Sequence, residues 1–233
     1  MNNEYEEALK GLVKVGGKLY EEKRWLIANY EGEDGELISI DEPDMKHELV
    51  ILQTNNIDAQ VKKKIKFVKL HECKNIDITI VGVLCNIELY KCQNIKLRIL
   101  TKRTTSSFSV LRLENCCNVD VFIDHLFLIK DEVRSYPVYM DGIMDCFIHG
   151  KDLETGKWMT KYRMTGSLYN DQHNSNMMIF NKITRQWKHY TRRLSDSNMS
   201  VFYNLEPDAE EKYIMRLFTV LLILWIMRNS RMM

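Results

Sequence analysis

The sequence predicts an all-β chain wound as a parallel β-helix, a stack of short coils. A phrase recurs at near-fixed spacing: QTNNIDAQV from Gln53, HECKNIDITI from His71, YKCQNIKLRI from Tyr90 and ENCCNVDVFI from Glu114. Thr54, Cys73, Cys92 and Cys116 hold one equivalent position, so the steps are 19, 19 and 24 residues. Repeats of that period mean stacked units. Asn56, Asn75, Asn94 and Asn118 follow two residues after each, and apolar residues then alternate with polar ones.

The elements follow in order. Tyr5, Leu9, Leu12 and Val13 share one face of a helix that Gly16-Gly17 is expected to stop, so residues 1–17 read as a helical arm. Docking over the open first coil would cover strand edges that otherwise invite pairing. Residues 18–150 hold the coils. Ile76, Ile78 and Ile80 form the alternating face of one half-buried strand; Ile95, Leu97 and Ile99, then Val119, Val121 and Ile123, form the next two. A second strand precedes each phrase, at Phe67 to Leu70, Ile87 to Tyr90 and Val110 to Leu113. The recurring Asn suits a corner, because Asn tolerates a left-handed backbone. Two short strands per coil stack equivalent positions about 4.8 Å apart.

Residues 151–193 read as an insertion with hairpin character. A turn is expected at Asn170-Asp171 and a strand from Met178 to Ile183. Its Trp158, Tyr162, Trp187 and Tyr190 are interleaved with Lys and Arg, a pattern that can also stack bases and hold phosphates. Residues 194–206 read as a final coil and 207–233 as an apolar tail. Leu217 to Met227 is an 11-residue apolar run between Arg216 and Arg228. A helix needs about 20 residues to span a bilayer. The run therefore buries against the core or a second protomer, lies in a membrane interface, or ends the reading frame aberrantly. Burial in a dimer is the first expectation.

Composition bounds the function. With 233 residues, 45% of them hydrophobic, the chain can bury a core. A formal net charge of +1 gives no global field toward nucleic acid or membranes. The first ten residues, MNNEYEEALK, have neither the basic nor the apolar region of a signal peptide. Six cysteines without such a signal suggest reduced thiols in a cytosolic compartment. Cys73, Cys92 and Cys116 are expected to line up as a ladder of small buried side chains rather than a metal site. At most one of Cys116 and Cys117 can join it, because successive residues point to different sides. No P-loop, nucleophile elbow, zinc-protease helix or dinucleotide fingerprint is found, so neither catalytic chemistry nor a cofactor is expected.

Basic residues supply the binding signal. Lys62, Lys63, Lys64 and Lys66 form a run at one coil corner, and Lys96, Arg98, Lys102 and Arg103 lie one to two coils on. Alternate strand residues share a face, so Lys96 and Arg98 should point the same way. Such a face suits an acidic partner; it also suits a solvated surface that protects strand edges.

The ordered set of phrases resembles the C-terminal domain of cyclase-associated proteins, within the wider tubulin cofactor C-like group. Tyr20-Glu21-Glu22-Lys23-Arg24-Trp25-Leu26-Ile27-Ala28-Asn29-Tyr30-Glu31 is similar to the family's opening strand, an E-G-K-K-W-x-V-E-N-x-E phrase. Gly82, Asn86 and Ile87 stand where the family has its G-K-x-N-S-I turn, although Val83 replaces the Lys. Met140-Asp141-Gly142 is similar to a later T-D-G corner, and Asp196 to Tyr203 to the final S-S-E-M-N-V coil. The resemblance implies a right-handed parallel β-helix that binds actin monomers, preferably ADP-bound, and speeds their exchange of nucleotide for ATP in the cytoplasm. Longer members carry further amino-terminal regions, so this chain reads as a short form. Members usually form a homodimer by exchanging closing strands, which the divergent tail alters. The tubulin-cofactor branch implies a rival role. There an Arg in a Q-x-R strand stimulates GTP hydrolysis, and Val110-Leu111-Arg112 places Arg112 there without the Gln. A scaffold with neither activity is the third reading.

Overall fold

A computed structural model describes residues 3–33, 36–100, 110–124, 137–151, 157–164, 174–181, 186–193 and 203–204. A short helix, α1 (Asn3–Leu9), is followed by β1 (Val15–Tyr20), β2 (Arg24–Ala28), β3 (Leu37–Ile40) and β4 (Glu48–Leu52). The coils continue through β5 (Asn55–Val61), β6 (Phe67–His71), β7 (Lys74–Ile80), β8 (Asn86–Tyr90) and β9 (Gln93–Ile99). They end with β10 (Val110–Glu114), β11 (Cys117–Ile123), β12 (Pro137–Asp141) and β13 (Met144–Lys151). Then come β14 (Trp158–Met164), β15 (Asn174–Asn181), β16 (Gln186–Arg193) and β17 (Tyr203–Asn204).

The chain is a parallel β-helix. Even-numbered strands β2-β4-β6-β8-β10-β12 stack in parallel in one sheet, and odd-numbered strands β3-β5-β7-β9-β11-β13 in the other. The registers match the repeat: Ile57 pairs with Ile76, Ile76 with Ile95 and Ile95 with Val119. These columns, with Leu49, Val68, Ile87 and Leu111 from the other sheet, are buried in one continuous core. Parallel stacking stops at β12 and β13. There β15 and β14 pair antiparallel, β16 forms an antiparallel pair with β15, and β17 one with β16. The expected turn at Asn170-Asp171 lies outside the described residues, and β15 covers the start of the expected strand from Met178.

Each corner carries two left-handed residues three apart. Asn56, Asn75, Asn94 and Asn118 have φ of 55°, 54°, 55° and 54°, and Gln53, Glu72, Lys91 and Asn115 have φ of 45°, 55°, 51° and 52°. The Asn side chains also join into a ladder. Asn75 donates to Asn56 Oδ1 at 2.7 Å, Asn94 to Asn75 at 2.8 Å and Asn118 to Asn94 at 2.9 Å. Glu31 caps it, accepting from Asn55 Nδ2 at 2.8 Å and Asn56 Nδ2 at 2.5 Å.

Between those two residues sits the thiol position. Cys73, Cys92 and Cys116 are buried, and Cys117 is not part of the ladder. Thr54 Oγ1 donates to the Leu52 carbonyl at 2.8 Å; Cys73, Cys92 and Cys116 make the same bond to the carbonyl two residues back, at 3.4, 3.3 and 3.3 Å. A small side chain with one donor is what the corner requires, which is why Thr substitutes for Cys in the weakest repeat.

The amino terminus differs from expectation in two ways. Gly11, at φ 80°, ends the helix, with Leu12 N donating to the Glu7 carbonyl at 2.9 Å; Gly16-Gly17 instead lies within β1. The helix does not cover the end of the stack. Tyr5, Ala8 and Val13 pack on the outward side of Leu26, Ala28 and Val50, while Leu9 and Leu12 are exposed. The edge of β2 is covered by β1, through an antiparallel hairpin. Glu21 and Glu22 sit in its turn, both at φ 51°. The opening strand therefore starts at Arg24.

Candidate functional site

The basic corner is built by the chain leaving β5. Lys62 N donates to the Ile40 carbonyl at 3.1 Å, which places the run beside the connector after β3. That connector is acidic. Lys62 Nζ lies 2.7 Å from Asp41 Oδ1, Lys63 pairs with Glu42, and Lys66 Nζ is 3.7 Å from Glu48 Oε1. Hydrogen bonds from Lys62 and Ser39 hold the Asp41 carboxyl below its ordinary range. Lys64 makes no ion pair among the described residues, and its Cγ passes 3.3 Å from where a β-carbon of Gly82 would sit. Val83, where the family has Lys, is buried and bridges Ile65.

Lys96 and Arg98 both face outward from β9, as their alternation requires. Asp77 on β7 serves both: Lys96 Nζ is 4.0 Å from its Oδ2, and Arg98 pairs with its Oδ1. They lie two strands from the Lys62–Lys66 corner in the same sheet, so the two clusters are near but separate. Lys102 and Arg103 lie outside the described residues.

Arg112 is on the other sheet. It projects from β10 into a groove of about 280 Å³ lined by Lys69, His71, Glu88, Tyr90 and Glu114. Its side chain is 58% exposed and pairs with Glu114 at 3.2 Å. His71 and Tyr90 stack in the same groove, centroids 4.9 Å apart. The fold thus keeps Arg112 apart from Lys96 and Arg98.

The interior thiols split: hydrogen bonding with Cys92 holds Cys73 below its ordinary range against the upward push of burial, and the other three are pushed up. Cys92 feels a downward pull from the Cys116 thiol, but Cys73 and burial outweigh it and push it up to about 12. Hydrogen bonding by Cys92, then burial, raises Cys116 further, and burial pushes Cys146 up to about 12. Among the described residues no group of three or more His, Cys, Asp or Glu is placed to hold a metal ion. Among them, too, no helix is long and apolar enough to cross a membrane.

This geometry has a match among known proteins. Residues 16–128 match the family model described as the adenylate cyclase associated (CAP) C terminal. The chain resembles the cyclase-associated C-terminal domain. Among solved structures, the cyclase-associated protein from Cryptosporidium parvum superposes with a TM-score of 0.52, covering 76% of this chain and 96% of that one at 16% identity. That likeness establishes a shared fold. A search of curated proteins by sequence found no match. The family match starts inside β1 and runs past β11, so the cyclase-associated likeness takes in the Lys62–Lys66 corner, Lys96, Arg98 and Arg112 alike.

One feature was missed by sequence reasoning. On the outward face over β9, β11, β13 and β14, Phe122, His149 and Trp158 pack together beside Arg98. The signal was an alternation of outward aromatic and basic residues, but it spans steps of 24 and 27 residues that only the register reveals.

Proposed function

We propose that this chain binds actin monomers, preferably ADP-bound, and speeds exchange of their nucleotide for ATP. The observation that supports this is the match of residues 16–128 to the cyclase-associated C-terminal family, on a stack covering nearly all of a solved relative. The mechanism is differential binding. The module favours an actin conformation with a looser nucleotide cleft, and the shift can be no larger than the difference in affinity between the two states. The chain does no bond chemistry of its own and acts in the cytoplasm. We propose also that two protomers pair through the tail, Leu217 to Met227, which lies outside the described residues.

The proposed contact is the basic corner from Lys62 to Lys66 together with Lys96 and Arg98, continued by Lys102 and Arg103. Its existing ion pairs are no obstacle, since exposed pairs contribute about 0–1 kcal/mol and exchange partners readily. The rival, GTPase stimulation by Arg112, draws support from that residue's exposure beside the groove; its pairing with Glu114 and the absent Gln count against it.

The experiment is release of a fluorescent nucleotide from ADP-actin monomers, with and without this protein. Faster release at sub-stoichiometric concentration is expected. Unchanged release together with no binding by sedimentation would sink the proposal and bring Arg112 forward.

A further inference from the structure

We propose that the outward face around Phe122 and Trp158 holds the bound partner in place, as the slow-dissociating half of the actin contact. This rests on the actin reading above for the partner's identity. Phe122 stacks on His149 with centroids 4.3 Å apart and planes 12° off parallel. Trp158 meets Phe122 edge-on at 5.3 Å and remains 37% exposed. Cations ring the cluster: Arg98 lies 5.7 Å from the Phe122 centroid, Lys151 5.9 Å from Trp158 and Arg163 6.0 Å from Phe147.

Aromatic and Arg side chains at the centre of a patch are what carry binding energy at protein interfaces. Here they are held in place on that face. Asp120 Oδ1 accepts from His149 Nε2 at 2.6 Å, and the rings stand on paired strands rather than loops. The cations give an acidic partner places to bond: Arg98 and Lys151 stand beside the rings and Arg163 over Phe147, among the carboxylates Asp77, Asp120, Asp124 and Asp145. The occupant is therefore a surface that places an apolar side chain among carboxylates. Arg98 joins this face to the proposed basic contact, so one partner can span both.

The two halves should act on different rates. Rim lysines steer encounter, whereas buried aromatic anchors govern dissociation. The test is binding of ADP-actin monomers in real time, at two salt concentrations, to the full chain and four variants. Trp158→Ala and Phe122→Ala are expected to raise Kd about 10-fold or more through faster dissociation. Arg163→Glu, at a side chain 62% exposed and paired with Asp145, should do likewise without touching the core; each variant is first matched to wild type by thermal unfolding. Lys63→Glu with Lys64→Glu should slow association and flatten the salt dependence while leaving dissociation within about twofold. If wild type binds and all the face variants dissociate as it does, this inference falls and the actin reading stands. If wild type does not bind actin, both fall. A thymidine oligonucleotide bound through Trp158 in place of actin would also overturn it.

Discussion

Asn94 donates its carboxamide to Asn75 Oδ1 across 2.8 Å, so two left-handed corner residues one coil apart are joined by side chain as well as backbone. Asn94 also accepts from Asn118 at 2.9 Å. Asn94→Ala removes both links and leaves a β-carbon in the left-handed region. The expected cost is about 2 kcal/mol, read by urea unfolding. Asn94→Gly should recover about half of it, because glycine restores the backbone but not the ladder. Equal losses in the two variants would show that the corner conformation contributes nothing.

Glu22 occupies the second left-handed position of the β1–β2 turn, where the family phrase has Gly. Lys23 N closes the turn on the Tyr20 carbonyl at 3.0 Å, and a left-handed residue at this place in a hairpin connection favours Gly. Glu22→Gly should stabilise the chain by about 1 kcal/mol and raise Tm by about 2–4 °C in a thermal scan. A lower Tm would mean that Glu22 makes a contact that offsets its strain.

The thiols divide by position. Cys85 and Cys117 are half-buried; Cys73, Cys92, Cys116 and Cys146 are buried. A thiol reagent at pH 8 should modify the first pair quickly and the other four only on unfolding, since burial keeps the reagent from their sulfurs. Mass spectrometry of peptides distinguishes them.

The same thiols set an alkaline limit. Cys92 and Cys146 titrate near 9.0 when free and at about 12 when folded. Between those values the unfolded chain has released protons that the native chain retains, so unfolding is favoured as pH rises. The thiols' contribution to stability should be constant below pH 9 and fall from there toward pH 12. Cys146→Ala should flatten the fall, and an unaltered slope by chemical denaturation would remove Cys146 from the explanation.

Arg112 is exposed and pairs with Glu114, two residues along its own strand. Arg112→Ala should change stability by less than about 0.5 kcal/mol, because an exposed ion pair contributes little. A larger loss on urea unfolding would give it a structural part that the groove does not show.

The coil interior was legible because it obeys one rule per position: Asn at the left-handed corner, a small donor two residues before it, and alternating Ile, Val and Leu beyond. What escaped lies where neighbours are distant or steps irregular. Asp41 and Glu42 neutralise Lys62 and Lys63 from a segment that carries no copy of the phrase. Phe122 and His149 meet only because β11 and β13 are in register, after connections of unequal length. Helix α1 could be foreseen, but its docking surface could not. Leu26, Ala28 and Val50 form an outward apolar face only because the first two even-numbered strands depart from the alternation of the later ones.

The parallel columns have a consequence for how the molecule holds itself together. Each coil touches only the coil before and the coil after, so cohesion adds up along a line, one junction at a time. Folding can begin at any junction and zip outward, and damage at one end need not reach the other. Length itself becomes adjustable. Copying one 19-residue turn, from Cys73 through Lys91, would lengthen the rod by a single rung without disturbing the rungs on either side.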